Sequence, residues 1–489
     1  VVLVERGSHP RFALGESSTP LAALCLERLA RRYGLEDLHA LAAYGRWQQH
    51  LPHLRHGLKR GFTFFHHRPG EPFCNGLTNE SRLLVAASPD ATSADSHWLR
   101  ADVDLHLVEA AEDAGVVVRE QVTLESLECT EPWVEVAGQS PEGPFQLRAD
   151  LLIDATGRGG FIAHHRPVPE RPPTVQRDAS LLFAHLKRVR PFTAVARGAG
   201  ARLPPGPFPD DRAAVHHILD PGWMYVLPFD HGISSVGLVG AGDSGLRRLT
   251  ATEAWYSILR RYPSLSQTFA LGEPTRPFEW IPDIRHRLQR AAGRRWLALP
   301  HTYAFSDPLY STGMGWSLSA VERIADLFAT AAPVVPAPSA LARYGALLEV
   351  EADHLEDLIE GAYAALPNFP ALVAQSLLYF AAASFQEVRH RLKDTGGWGW
   401  EGFLGSTDPV CREFVHQGRE RLEDPAGVDV TAFTAWVRQA IAPRDIAGLA
   451  DPDRNHLYPL DLDTLVQRAT LLGMSPGQVE AALPRLRSA

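Results

Sequence analysis

Short apolar runs bounded by Gly, Pro and Asp alternate with helical stretches over the first 330 positions, and helices dominate thereafter. Val1-Val-Leu-Val-Glu5 is a brief apolar strand ending in an acid. Residues 19–33 predict a helix with Thr19 as N-cap and Pro20 at its first position. Residues 61–65 and 83–88 read as strands, separated by the turn-rich Arg68-Pro-Gly-Glu-Pro72. A helix over 101–114 ends at Gly115, and segments 116–118, 122–128, 133–136 and 145–149 predict a β-meander. Leu151-Leu-Ile-Asp154 is a buried strand that runs into Ala155-Thr-Gly-Arg-Gly-Gly160. Pro167 to Pro173 marks a change of region, and residues 178–285 alternate apolar and polar as a sheet covering a pocket would. Residues 296–299 return as a strand, followed by a turn at Asp307 and a helix through Phe328. Beyond a proline-rich linker at 333–338, segments 340–365, 369–393, 431–441 and 462–472 are helical, and no repeat with a period of 20–50 residues occurs.

A chain of 489 residues exceeds one hydrophobic core, so two or three packed domains are expected. The net charge of −9 argues against a nucleic-acid surface. No apolar run approaches the roughly 18–20 residues of a membrane span. Cys25, Cys74, Cys129 and Cys411 lie far apart without a CxxC pair, which suggests a reducing, cytoplasmic setting with neither disulfides nor a metal site. The adjacent pairs His66-His67, His164-His165 and His216-His217 are poor chelates, because neighbours on a strand point to opposite faces; surface or structural roles are expected.

Several segments carry chemistry. Asp307-Pro-Leu-Tyr-Ser-Thr-Gly-Met-Gly315 is a glycine-punctuated turn leading into a helix, whose free N–H groups and dipole would stabilise an anion. A capped helix with a demanding approach explains the same residues. The turn after Asp154 lets backbone approach a ligand closely at Gly157, and an ordinary strand-to-loop turn is the alternative. Glu5 stands where an acid holds a ribose in dinucleotide folds. Arg100 followed by Asp104 is either an anion-neutralising arginine or a plain helix pair. Lys59-Arg60 begins a strand, and the aromatic alternation Trp223, Tyr225 before Pro228 suits core packing as well as a pocket wall.

Taken together, and in this order, the Gly15-Glu-Ser17 stretch preceded by Arg11, the Gly222-Trp-Met-Tyr-Val-Leu-Pro228 strand and the Asp307 turn resemble the flavin-dependent halogenases and their FAD-monooxygenase relatives. The resemblance covers about residues 1–330 and implies an α/β fold: a glutathione-reductase-like, PHBH-like FAD-binding dinucleotide domain, a mixed β-sheet substrate domain and a C-terminal helical region. The partition expected is 1–50, 85–165 and 290–332 for the FAD domain, 51–84 and 166–289 for the substrate sheet, and 339–489 for the helices. The resemblance assigns Glu5, Arg11, Gly15, Glu16, Ser17, Arg100, Asp154, Gly157, Asp307, Gly313 and Met314 to FAD, and Thr312 and Gly313 to a halide. It makes Lys59 the catalytic lysine, although a surface Lys-Arg pair is an equal reading, and it places Phe64, Trp223, Tyr225 and Tyr310 around the substrate.

The activity implied is O₂-dependent halogenation of a small aromatic, carrier-tethered or free, through a flavin hydroperoxide and hypohalous acid. Reduced FAD would come from a separate flavin reductase. Hydroxylation by an FAD monooxygenase on the same fold is the alternative. Three departures qualify the likeness. No Gly-x-Gly-x-x-Gly precedes Glu5, which is expected of a product truncated by about thirty residues. The family's Gly-Asp before the Asp-Pro turn is replaced within Leu299-Pro-His-Thr-Tyr303. Tyr310 stands where tryptophan-type members carry a glutamate, which moves the expected substrate toward phenol- or pyrrole-like rings.

Overall fold

The central strands do not alternate in burial, because both faces of their sheet are covered. In the computed structural model the described residues are 1–489 except 131, 167, 173–176, 221, 241–244, 332–334, 394–396, 425–426 and 488–489. A 9-stranded mixed sheet forms the centre. Its path runs from Glu273–Pro274 through Leu181–Lys187, Ile233–Val239, Trp223–Pro228, Ala214–Ile218, Gly61–His66 and Arg82–Ala86 to Leu457–Tyr458, with Glu279–Ile281 also paired to Leu181–Lys187. Phe65, Leu182, Met224 and Val226 point to one face and pack with Trp255 and Ile258 of the Ala251–Arg261 helix. Phe62, Phe64, Leu181, Trp223 and Tyr225 point to the other and share a core with Leu358 and Leu378 of the Pro338–Ala365 and Phe369–Lys393 helices. Period 2 in the backbone therefore separates two cores rather than a core from solvent.

The expected sheet over 178–285 is interrupted by three helices, Phe192–Gly198, Ala251–Arg261 and Pro263–Thr268. The Thr250 side chain accepts from the Glu253 N–H while Glu253 reaches back to the Thr250 N–H, and this capping box fixes the start of the second of them. The expected meander also splits. Val117–Arg119 pairs in parallel with Val2–Val4, across the Arg100–Asp113 helix, and only Thr123–Cys129, Val134–Ser140 and Gly143–Ala149 form an antiparallel sheet. Parallel pairing needs a crossover, and the helix from Arg100 supplies it. Leu152–Asp154 pairs in parallel with Trp296–Ala298, which brings the Asp154 turn beside the approach to Asp307.

Two boundaries differ from expectation. The limit at 84/85 falls inside the Arg82–Ala86 strand, all of which pairs with Gly61–His66 or borders it. The C-terminal region is not set apart from the sheet: Leu457–Tyr458 pairs in parallel with Leu84 and Val85. The histidine pairs at 66–67 and 216–217 are structural rather than superficial, since His67, His216 and His217 are buried and His67 Nε2 meets His217 Nδ1 at 3.0 Å. Of the expected linker at 333–338 and region change at 167–173, residues 333–334, 167 and 173 lie outside the described residues. Among the described residues no helix is long and apolar enough to cross a membrane.

Glu351 ties the C-terminal helices to the rest. Its carboxylate accepts from Trp316 Nε1 at 2.7 Å, from Arg323 Nη2 at 2.6 Å and from the Phe403 N–H at 2.7 Å, all with the side chain fully buried. Trp316 and Arg323 belong to the Thr312–Ala331 helix, so a single carboxylate fixes that helix against Pro338–Ala365. Removing one partner of such a buried pair strands the other's charge. Glu351→Ala is expected to lower stability by about 3–5 kcal/mol, read as a fall in the chemical-denaturation midpoint; an unchanged midpoint would refute the role given to this carboxylate.

Candidate active site

The turn at Asp307 is built by its own side chain. Asp307 Oδ1 accepts from the Leu309 N–H at 2.9 Å, Oδ2 accepts from the Tyr363 hydroxyl at 2.6 Å, and Arg177 Nη1 lies 3.4 Å away. Burial pushes the Asp307 carboxyl up, and Arg177 pulls it back down. Tyr363 in turn receives the Trp223 indole N–H at 3.2 Å, while Arg177 Nε reaches Glu360 at 3.1 Å. The turn is thus anchored to the Trp223–Pro228 strand and to the Pro338–Ala365 helix together. Ser311 closes it with a left-handed backbone, φ 53°, and Thr312 begins a 20-residue helix.

The first N–H groups of that helix lack intrahelical partners. A cavity of about 180 Å³ opens against Thr312 and Gly313 and is lined also by His301, Asp307, Arg158 and Arg285. Gly313 is required here: a Cβ would stand 2.4 Å from His301 Nε2. That Nε2 atom is buried without a hydrogen-bond partner among the described residues. Burial, with Arg100 and His286 nearby, lowers the imidazole to about 4, so it is neutral at ordinary pH.

Of the residues assigned to a cofactor outside this turn, Ser17 adjoins it directly. Ser17 Oγ lies 3.1 Å from Ser311 Oγ. Gly15 adopts φ 91°, and Arg100 donates to the Leu14 and Gly15 carbonyls at 2.9 and 3.1 Å while paired with Asp104 at 2.7 Å. Arg100 therefore joins the two readings, helix pair and loop contact. Arg11 Nε is 3.6 Å from Glu5, whose other oxygen accepts the Gly7 N–H at 2.6 Å. Asp154 is turned inward, accepting from the Thr156 N–H at 3.0 Å and the Ile162 N–H at 2.8 Å, so it shapes the Gly157 turn. Gly157 has φ 74° and donates to Thr302 Oγ1 at 3.0 Å. The Glu16 carboxylate points into the sheet and meets His185 Nε2 at 2.8 Å, and the Met314 side chain packs beside Trp47 and Trp98.

Lys59 is fully buried and donates to the Ser18 carbonyl; it is not a surface residue. Its ammonium also sits 4.2 Å from the Phe62 ring centroid. Burial pushes the Lys59 ammonium toward the neutral amine, opposed by Asp95, its register partner across the His56–Lys59 and Asp95–Trp98 ladder. Arg60 leaves the core, donating to the Ser88 and Pro89 carbonyls. Phe62 and Asp95 line a second, mainly apolar cavity of about 140 Å³, with Pro20, Tyr379 and Phe380.

The four residues expected around a substrate do not line that cavity. Tyr310 stacks on Tyr379 at 4.5 Å and shares a hydrogen bond with Ser376 at 3.1 Å; Phe64 stacks on His216 at 4.6 Å; Trp223 and Tyr225 follow on the neighbouring strand. The facing wall is Phe62 and Tyr379, which sequence reasoning missed, as it missed Asp95, His301 and Tyr363. Phe62 belongs to the same strand face as Phe64, so alternation carried a usable signal there. His301 lies in the Leu299–Tyr303 segment, where the family's Gly-Asp is replaced, and the other three lie in segments without any readable motif.

These features suit an anionic, planar cofactor with a small anion beside it. Two positive-φ glycine turns permit close backbone approach, the Thr312 helix supplies unpaired N–H donors, and a buried neutral His301 nitrogen lacks a partner there.

No family model matches the chain. It is 28% identical over 324 residues to tetracycline 7-halogenase of Kitasatospora aureofaciens, an alignment covering 64% of this chain and 56% of that protein. It is 28% identical over 323 residues to the monodechloroaminopyrrolnitrin halogenase PrnC of Pseudomonas fluorescens, covering 64% and 54%. The chain thus spans little more than half the length of these curated relatives. The crystal structure of halogenase PltM in complex with phloroglucinol and FAD superposes with a TM-score of 0.82 at 19% identity, over 93% of this chain and 94% of that one. In sequence this chain is similar to these halogenases, and in fold to the FAD-binding halogenase PltM.

Proposed function

We propose that this chain is an FADH₂-dependent halogenase that places an electrophilic halogen on an electron-rich, phenol- or pyrrole-like aromatic. The observation that carries the reading is the position of Lys59. Its buried ammonium touches Ser18, next to the Ser17–Ser311 contact at the helix start, and also Phe62 on the wall of the aromatic-lined cavity. A group so placed can hold an oxidised halide between the site where it forms and the ring that receives it.

FAD would be held by Glu5, Arg11, the Gly15–Ser17 loop with Glu16 behind it, Arg100, the Asp154–Gly157 turn, and the backbone from Asp307 through Gly313 and Met314. When bound and reduced by a separate flavin reductase, it supplies the electrons that activate O₂ for halide oxidation. The N–H groups of Thr312 and Gly313 would hold the halide, and His301, neutral and unpartnered, offers a further polar contact. Lys59 then donates a hydrogen bond to the hypohalous acid and presents the halogen to the ring. As the ring carbon forms its bond to halogen, the halogen–oxygen bond breaks, and the departing hydroxide takes a proton from Lys59 and leaves as water. The proton lost from the ring restores the ammonium. Tyr310, Trp223 and Tyr225 fill the space between turn and cavity and exclude water.

Product mass checks the reading: with reduced FAD, O₂, bromide and a phenol, the account expects the bromine isotope doublet, whereas gain of one oxygen would indicate hydroxylation. Lys59→Met keeps the volume and removes the charge, so it is expected to fold, to bind FAD as the parent does, and to lose halogenation by at least about 10²-fold; parental turnover would contradict the assignment. Thr312→Val is expected to retain most activity, because backbone donors remain, with turnover in varied bromide as the readout.

A further inference from the structure

Asp95 is a buried acid whose second carboxylate oxygen the interactions described above leave unexplained. It is 4% exposed, lines the cavity beside Lys59, and its Oδ2 is buried without a hydrogen-bond partner among the described residues. An unpaired buried acceptor of this kind is costly unless something fills it. The other acids of the same cavity are already engaged. Glu27 bridges Arg46 and Arg391, both at 2.6 Å, and Glu387 accepts from Arg391 Nε at 2.8 Å. Around them the wall is apolar, with Pro20, Phe62 and Phe380. Among the acids that line this cavity, Asp95 therefore keeps a buried carboxylate oxygen open as an acceptor, among the described residues.

We infer that Asp95 is the specificity-determining anchor of the substrate, accepting a hydrogen bond from a ring hydroxyl or ring N–H and so turning the neighbouring ring carbon toward Lys59. The inference rests on this cavity being the aromatic subsite of the proposed halogenase. It names the substrate class more narrowly: a single ring carrying a hydrogen-bond donor and no carboxylate, since an anionic ring would meet Asp95 as a like charge. The carboxylate facing Lys59 comes from the adjacent strand, in register with it. Groups acting on Asp95 from the surrounding elements are Lys59, Glu27, Glu387, Arg391 and Tyr379, and Lys59 also faces His97 and His216. Burial raises the Asp95 carboxyl and Lys59 lowers it, while in return Asp95 supports the charged form of Lys59.

Calorimetric titration of the full chain with resorcinol and with 1,3-dimethoxybenzene tests the anchor without FAD or turnover. The unmodified chain is expected to bind resorcinol at least about tenfold more tightly than the dimethyl ether, the step a lost charged hydrogen bond gives. Asp95→Asn is expected to weaken resorcinol by a similar factor and to leave the ether unchanged. Equal binding of the two rings, failure to bind resorcinol, or an unaltered resorcinol affinity in Asp95→Asn would overturn it. In turnover, Asp95→Asn removes the charge that keeps Lys59 protonated, so the alkaline limb of the pH–rate profile moves to lower pH and KM rises more than kcat falls. An unmoved limb would also count against the anchor. Discrimination between the two rings without any brominated product would leave Asp95 supported and overturn the halogenase reading instead.

Discussion

An ammonium group taken wholly out of water must be met by fixed dipoles or an opposing charge, or the strand that carries it will not fold. Lys59 is in that position, and much of the site follows from how it is met. The Ser18 carbonyl accepts a hydrogen bond from it, which fixes the loop carrying Gly15, Glu16 and Ser17. The π face of Phe62 lies beside it, which orients the strand wall of the cavity. Asp95 stands opposite in register, which requires the two-stranded ladder between His56–Lys59 and Asp95–Trp98. Three separate segments are therefore held around one charge.

The second constraint is the carboxylate of Asp307, which links the turn to Tyr363 and Arg177 and through them to Trp223 and Glu360. Glu351 does the same one turn further along the helix from Thr312. Both carboxylates reach the Pro338–Ala365 helix, and the apolar cavity lies between the sheet and the helices that follow. The C-terminal half is thus part of the site's construction: Tyr379, Phe380 and Glu387 all line that cavity. Tyr310 links the two regions, stacking from the Asp307 turn on Tyr379 of the cavity wall.

How much of this was legible in the sequence depends on where each residue's signal comes from. The helix at Pro20–Tyr33 begins where Pro20 predicts, although the Thr19 side chain makes no capping hydrogen bond, and Phe369–Lys393 matches its expected limits, because a proline start and long apolar periodicity are local. The glycine turns at Gly15 and Gly157 were legible because conformational demand leaves a mark on residue type, whereas Gly313 is demanded by the space beside His301. The parallel pairing of Val117–Arg119 with Val2–Val4 was not, since register between distant strands depends on a crossover rather than on composition. Asp95 was invisible for a related reason. Nothing in Asp95-Ser-His-Trp98 separates a buried acid from an exposed one; the ladder and the helix carrying Glu387 bury it. The inward turn of Asp154 and the pairing of Glu16 with His185 likewise depend on partners eight and 169 positions away.

The central claim is that Lys59 stands between a halide held at the Thr312–Gly313 N–H groups and a ring held in the Phe62–Tyr379 cavity. Crystals grown with FAD and bromide, soaked with resorcinol and measured at the bromine edge, test this most directly. The account predicts an anomalous peak at the start of the Thr312 helix, with the ring beside Phe62 and Lys59 between the two. Bromide and ring together on one side of Lys59, or a ring bound away from Phe62, would contradict it.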